Sequence, residues 1–220
     1  MLDAITPGAV EEALRGHETA DFPALPGRRN HLRAAVLVPV IWDPAPLTIL
    51  TIRAADLRLH AGEVVFPGGR FDPADDASLA DTALREAREE VGLGGARIIG
   101  TLSSIPLYTS EYRLEPYVAL APAQRLVAQE SEVAAILPVA IGELLARASI
   151  DGIAWTRPDG SETLSPVFDL DGRLAYGGTA HVLYELLEVL APLAGRRPPP
   201  MRVGRFTWQD VLGPRAPKGI

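Results

Sequence analysis

The chain has 220 residues, of which 47% are hydrophobic and 22% charged, as is usual for a folded protein with a buried core. A formal charge of −7 and a pI near 5.1 disfavour a nucleic-acid coat or an anionic membrane as partner, so an anionic ligand would need a local basic patch or bound cations. The absence of cysteine excludes disulfides, zinc–thiolate sites and a thiol nucleophile.

The N-terminal part of the chain predicts a short helix over 8–17, followed by a proline-containing link. Residues 1–18 carry acidic side chains instead of the basic and then apolar pattern of a secretory signal. The longest apolar run, 34–42, is about half a membrane span. We therefore expect a cytoplasmic protein with no membrane partner.

Three strands are predicted next, because β-branched residues alternate with turn signals. They cover 33–42, 47–53 and 62–69, and the third ends in a glycine turn. An acidic loop then leads to a helix over 79–91. Ser78 is the predicted N-cap of this helix, with Asp81 completing a capping box, and Gly92 is its predicted end.

The second half of the chain mixes strands and helices. The predicted strands cover 96–105, 116–122, 152–157 and 164–170, and the predicted helices cover 139–149 and 179–195. The segment from Arg196 is rich in proline and arginine, so we expect it to pack loosely or to be partly disordered. This pattern predicts an α/β sandwich around a mixed sheet. The predicted units are 1–30 (helix and linker), 31–194 (main domain) and 195–220 (tail).

The predicted helix over 79–91 carries an unusual group of acids. Glu86, Glu89 and Glu90 share one helical face, where like charges repel by a few tenths of a kcal/mol per pair. One interpretation is a solvated acidic face relieved by Arg85 and Arg88. The other is a site for Mg²⁺ or Mn²⁺, which prefer carboxylate oxygens and retain waters for substrate phosphates.

The glycine turn upstream favours the metal site. In the sequence FPGG, residues 66–69, proline fixes one φ angle and two glycines permit backbone conformations closed to other residues. Such a turn brings bare backbone close to the start of the acidic helix. The turn and the sequence REAREEVG together are a strong signal, whereas either alone is weak.

These residues resemble the signature of the Nudix hydrolases. The matching positions are Gly69, Arg85, Glu86, Glu89, Glu90, Gly92 and the apolar Leu93. The spacing from Gly69 to Arg85 is longer than in the general family pattern. The early acid of that pattern therefore has two candidates, Asp75 and Asp76.

The longer spacing and an upstream motif resemble the coenzyme A pyrophosphatase branch of this family. The sequence LTIRAADLRLHAGEVVFPGG supplies the motif in register at Leu50, Thr51, Arg53, Ala54, Arg58, Gly62, Phe66, Pro67, Gly68 and Gly69. The resemblance covers roughly 33–190. It implies a Nudix-type α/β/α sandwich and hydrolysis of the diphosphate of coenzyme A or acyl-CoA to 3′,5′-ADP and 4′-phosphopantetheine or its acyl form.

The resemblance also implies roles for the residues of the helix. Glu86 and Glu90 would be the principal ligands of Mg²⁺ or Mn²⁺, and Glu89 would share a metal or accept a proton from water. The carbonyl of Gly69 would be a further ligand. Arg85 would orient the glutamates.

Cations and acids outside the helix complete the expected site. Arg53, Arg58 and Gly68 would bind substrate phosphate, although the two arginines could instead pair with acids on the surface. His60 is more often structural than a phosphate ligand in such a position. Glu132 is a candidate additional acid, and a glutamate at the start of a helix is its alternative interpretation.

Two other functions remain open from the sequence. The same chemistry could act on ADP-ribose, NADH or another nucleoside diphosphate derivative. Less favoured is a domain that binds a nucleotide without hydrolysing it, because the helix glutamates are all present. The expected partner is a small molecule rather than a nucleic acid, and a homodimer is compatible with the sequence.

Overall fold

The computed structural model describes residues 4–57, 59–156 and 160–213. The first half contains, in chain order, α1 (Pro7–Arg15), β1 (Leu32–Trp42), β2 (Pro46–Arg53), β3 (Val64–Val65), β4 (Gly68–Arg70), α2 (Leu79–Val91), β5 (Arg97–Thr101), β6 (Ile105–Pro106) and β7 (Tyr112–Leu120). The second half contains β8 (Val133–Ala140), α3 (Ile141–Ala146), β9 (Ile150–Thr156), β10 (Glu162–Leu170), β11 (Arg173–Ala175), α4 (Gly177–Leu190), a 3₁₀ turn (Pro192–Ala194), β12 (Met201–Val203) and α5 (Trp208–Leu212).

The larger sheet is mixed and has eight strands. Its central order is β3-β2-β1-β7-β5, with β4 paired to β1, β6 to β7 and β8 to β2. The pair β1–β7 is parallel, and the other pairs are antiparallel. A smaller sheet has the order β11-β10-β9-β12.

Alternation along β1 separates the two faces of the larger sheet. Ala35 and Leu37 pack with Ala83 and Ala87 of α2 on one face. Val36, Val38 and Val40 pack with residues of α1, α3 and α4 on the other. Since successive side chains of a strand point to opposite faces, one continuous apolar strand serves both cores. The predicted α/β/α sandwich around a mixed sheet is therefore confirmed.

The helix that carries the acids has the predicted bounds. Ser78 Oγ accepts from the N–H of Asp81 at 3.2 Å, and Gly92 ends the helix in the left-handed conformation with φ of 69°. The predicted capping box is only partly correct, because the Asp81 carboxylate accepts from the Ser78 hydroxyl, at 2.8 Å, and not from its backbone N–H.

Several element predictions need correction. The strand predicted over 62–69 is divided into β3 and β4, and the strand predicted over 96–105 into β5 and β6. The helix predicted over 139–149 is shorter, because Val139 and Ala140 belong to β8. Within the part of the chain that the structure describes, no helix is both long and apolar enough to span a membrane.

The tail does not pack loosely over the residues that are described. β12 pairs in parallel with β9, and Val211 and Leu212 of α5 pack on Ile153 and Val167. α5 begins with a capping box between Thr207 and Asp210. The expected loose tail is therefore wrong for 201–212, and the three predicted units remain a proposal.

Candidate active site

Arg85 lies among the acidic side chains of α2. Its Nε and Nη2 atoms donate to the two carboxylate oxygens of Asp76 at 2.9 and 3.0 Å. Nη2 also lies 3.0 Å from Glu86 Oε1, and Nη1 donates to Glu89 Oε2 at 2.9 Å. One guanidinium thus contacts three carboxylates and offsets the repulsion between the helix glutamates.

Asp76 is the buried acid of the loop before α2. Its carboxylate also accepts from the Thr82 hydroxyl at 2.8 Å and from the Asp72 N–H at 3.0 Å. The hydrogen bonds from Arg85 hold the pKa of Asp76 well below its usual range. Asp75 is exposed. Of the two acids that the spacing leaves open, Asp76 is the one in contact with the helix arginine.

Glu90 is a buried carboxylate, 2% exposed, at the glycine turn. Its Oε2 accepts from the Gly68 N–H at 3.0 Å, and its Oε1 lies 3.8 Å from Arg53 Nη1. Burial raises the pKa of Glu90 to about 7, although Gly68 and Arg53 act against this shift. Burial also raises the pKa of Glu86, and Arg85 opposes that shift.

The glycine turn approaches α2 closely, but at Glu86 and Glu90 in the C-terminal half of the helix and not, as the sequence predicts, at its start. A Cβ atom at Gly69 would overlap the carboxylate of Glu86, and one at Gly68 would lie 2.7 Å from the Cα of Val36 in β1. At Gly68 the close atoms include the β1 backbone, so a side chain would move the turn away from the sheet, and glycine is required there. At Gly69 the close atoms belong to the Glu86 carboxylate, which a side chain would displace.

The chemistry of these donors fits a hard divalent cation. Glu86, Glu89 and Glu90 offer only oxygen atoms, as does the backbone of Gly69, and two of the three carboxylates have pKa values raised by burial. A cation bound there would favour their charged forms. Among the described residues no three acidic or histidine side chains converge as a preassembled metal cluster. Arg85 contacts Glu86 and Glu89 instead, and the Gly68 N–H donates to Glu90.

The other predicted site residues are placed as follows. The charge of Glu132 contributes to the raised pKa values of Glu86 and Glu90, and its backbone carbonyl accepts from Ala54 at the end of β2. Glu132 precedes the strand β8, so its alternative interpretation as a helix-start residue is wrong. His60 Nδ1 lies 2.8 Å from Glu63 Oε2, a contact typical of a structural histidine. Arg58 lies outside the described residues.

A cavity of about 1030 Å³ opens beside the turn. Arg53, Gly68 and Gly69 line it, and so does Arg70, which the sequence analysis did not single out. The guanidinium carbon of Arg70 lies 5.0 Å from the ring centroid of Tyr112. The signal that could have identified Arg70 in the sequence is its position directly after the glycine turn. The Nε atom of Arg53 is buried and has no hydrogen-bond partner in the described part of the protein.

Comparison with known proteins identifies the family of the chain. The NUDIX domain matches residues 31–160, which is more than half of the chain. The chain belongs to the Nudix family. This Nudix chain is 46% identical over 117 residues to the protein named uncharacterized Nudix hydrolase NudL of Yersinia pestis (strain Pestoides F). The aligned region covers 51% of the chain and 57% of that relative, so the chain spans little more than half the length of the curated relatives it matches.

Solved structures of Nudix proteins also resemble this Nudix chain. A NUDIX hydrolase from Nitrosomonas europaea is 13% identical with a TM-score of 0.48, covering 81% of this chain and 80% of that one. A NUDIX hydrolase from Alicyclobacillus acidocaldarius is 19% identical with a TM-score of 0.43, covering 84% of this chain and 100% of that one.

Proposed function

We propose that this Nudix chain hydrolyses the diphosphate of coenzyme A or of its acyl thioesters, releasing 3′,5′-ADP and 4′-phosphopantetheine or its acyl form. The observation that carries the proposal is the position of Arg53. Arg53 lines the cavity, its Nη1 lies 3.8 Å from Glu90 Oε1, and its buried Nε has no acceptor among the residues that the structure describes. In a chain of net charge −7, such a cation beside the turn is suited to an anionic phosphate.

The residues of the site have separate tasks in this reaction. Bound Mg²⁺ or Mn²⁺, held by Glu86, Glu90, Glu89 and the Gly69 carbonyl, would neutralise the phosphates and lower the pKa of water. Water adds to one phosphorus, and the bond from that phosphorus to the bridging oxygen breaks. Glu89, the most exposed of the three glutamates, accepts the proton that the water loses.

Orientation comes from the residues around the glutamates. Arg85 fixes Glu86 and Glu89 from one side, and the Gly68 N–H fixes Glu90 from the other. Arg53 and Arg70 lie in the cavity wall, where they can bind the phosphates of the substrate. Arg58 is proposed as a further phosphate ligand from the sequence motif alone.

The test is a substrate panel with product identification. Coenzyme A, acetyl-CoA, dephospho-CoA, ADP-ribose and NADH are offered with Mg²⁺ or Mn²⁺, and the products are identified by mass. We expect 3′,5′-ADP and 4′-phosphopantetheine from coenzyme A. Faster cleavage of ADP-ribose or NADH than of any CoA species would overturn the substrate assignment, and binding without cleavage would overturn the enzymatic one.

A further inference from the structure

Segments outside the region that matches the family form part of the cavity wall. Phe22 and Leu25 of the N-terminal link contribute to it, and so do Trp208 and Leu212 of α5. Their places are fixed by ordered contacts: the Leu25 N–H donates to Asn30 Oδ1 at 2.9 Å, and Trp208 Nε1 donates to the Ala154 carbonyl at 3.3 Å. The cavity is thus larger than the turn and the acidic helix alone would make it.

Five polar residues of the wall around α4 are already bonded to one another: His17, Ser103, Ser165, His181 and Glu185. Glu185 accepts from the Ser103 N–H at 3.0 Å and from the Ser103 hydroxyl at 2.7 Å, and it lies 2.7 Å from His17 Nε2. Ser165 Oγ lies 3.2 Å from His181 Nε2. The second nucleoside of a dinucleotide, placed against these side chains, would lose hydration of its hydroxyl groups. It would gain no hydrogen bonds from side chains that are already bonded to one another, and this is costly.

The remaining surface of this wall combines apolar and acidic side chains with the hydroxyl groups of Thr163, Tyr176, Thr179 and Tyr184. Trp155 of the smaller sheet lines the cavity together with Trp208 and Leu212, and it shares the sheet face of Ile153 and Val167, on which Leu212 packs. Glu188 also lines it, and a carboxylate there disfavours a further phosphate group. A long, uncharged aliphatic chain suits this wall, because it gains from burial against apolar side chains and needs no hydrogen-bond partners. It also carries no charge that the Glu188 carboxylate would repel.

We propose that the wall formed by Phe22, Leu25, Trp155, Trp208 and Leu212 is an acyl pocket, which holds the aliphatic chain of a CoA thioester. The identity of the thioester rests on the proposed function, whereas the preference for an aliphatic chain rests on the pocket itself. The N-terminal link and the C-terminal segment then determine which acyl-CoA is cleaved, while the acidic helix supplies the hydrolysis.

The pocket is tested first with ligands that lack the diphosphate. Acetyl-, butyryl-, hexanoyl- and octanoyl-pantetheine are titrated into the full chain by calorimetry. Since a buried methylene is worth about 0.8 kcal/mol, the Kd should fall by up to about fourfold for each added methylene. A Kd that does not change with chain length, or no binding of any member of the series, would overturn the pocket.

Substitutions in α5 and just before it distinguish loss of the pocket wall from a general loss of packing. Trp208→Ala should weaken octanoyl-pantetheine binding by about tenfold, because it removes apolar wall, and Trp208→Phe should restore most of it. Phe206→Ala is the matched control: Phe206 packs in the same group as Val211 and Leu212 but does not line the cavity. Equal weakening by Trp208→Ala and Phe206→Ala would overturn the assignment.

Hydrolysis assays distinguish failure of the pocket from failure of the proposed function. Length-dependent binding of acyl-pantetheines without cleavage of any CoA species would leave the pocket standing and overturn the CoA reaction. Cleavage of coenzyme A and octanoyl-CoA with equal kcat/KM would leave the reaction standing and overturn the pocket. With both correct, kcat/KM should rise with acyl length, and Trp208→Ala should reduce that rise, whereas Phe206→Ala should leave it in place.

Discussion

Asp76 is the residue on which the orientation of Arg85 depends. It is 6% exposed and bonds two nitrogen atoms of the guanidinium. We expect Asp76→Asn to lower the free energy of unfolding by about 1.5 to 3 kcal/mol, the usual worth of a hydrogen bond to a charged group. It should also lower kcat, because Arg85, once less firmly held, would no longer keep Glu86 and Glu89 in place. Denaturant unfolding and steady-state assays measure the two effects.

The adjacent acid is a matched control for this prediction. Asp75 is exposed, so Asp75→Asn should change stability by no more than about 0.5 kcal/mol. The pKa of Asp76 is lower in the folded protein than in the unfolded chain, where it is about 4. The ionised carboxylate therefore stabilises the fold above about pH 4, and this contribution is lost as the pH falls toward the folded pKa. The stability gap between wild type and Asp76→Asn should therefore narrow below about pH 4. Equal effects of the two variants at neutral pH would refute the role of Asp76.

Glu90 is the acid of the helix that lies deepest in the protein. Glu90→Gln keeps an oxygen that can accept from the Gly68 N–H but removes the charge that a cation requires. We expect kcat to fall by on the order of a hundredfold or more, with a melting temperature equal to or above that of wild type, because a buried charge is removed. Glu12→Gln, an exposed acid of α1, should change neither quantity. Near-full turnover of Glu90→Gln at matched metal concentration would disprove the metal assignment.

At the scale of elements, α2 was predictable because its signals are local. Ser78, the apolar positions and Gly92 lie within one short segment, and each acts on the backbone next to it. β8 was not predictable in this way. Its sequence VAAILPVA includes alanines and Pro138, which are poor strand formers, and its pairing with β2 tolerates them because no other described strand pairs with β8. β12 was missed for a similar reason: three residues gain their strand conformation only by pairing with β9.

The position of Glu86 on α2 depends on the absence of a side chain at Gly69 in the glycine turn, and Gly69→Ala tests this dependence. The added methyl group would overlap the Glu86 carboxylate, and Glu86 can move because its side chain is partly exposed. We expect a folded protein with kcat lowered by on the order of a hundredfold, since a small misplacement of catalytic groups has effects of this size. Circular dichroism and steady-state assays measure fold and turnover.

Gly94 supplies the control for this substitution. A Cβ there would meet only Gln124 Oε1 at 3.9 Å, an ordinary contact, so Gly94→Ala should retain turnover. If Gly69→Ala retained wild-type kcat as well, the close approach of the turn to Glu86 would have no part in catalysis.

At the scale of the whole molecule, the sequence predicts the turn and the helix of the proposed site better than it predicts what surrounds them. Glu86, Glu90 and the glycine turn are recognisable because they occur in short fixed patterns. The choice between Asp75 and Asp76 depends on which side chain folds inward. The cavity depends on packing between the N-terminal link, the main sheet and α5, which are distant in sequence. Such contacts come from tertiary structure and leave no local pattern.

The charge of the whole chain and the buried glutamates together predict stabilisation by divalent cations. A ligand that binds only the folded state at about 100 times its Kd adds about 2.7 kcal/mol of stability. For a chain of 220 residues this should raise the Tm by roughly 5 to 10 °C in Mg²⁺ or Mn²⁺ relative to excess chelator. NaCl at the same ionic strength controls for screening of the net charge of −7. Glu90→Gln should lose most of the increase, Glu12→Gln should keep it, and hydrolysis should cease in chelator and return with the metal. A Tm increase of the same size in Glu90→Gln would place the cation elsewhere on this acidic protein.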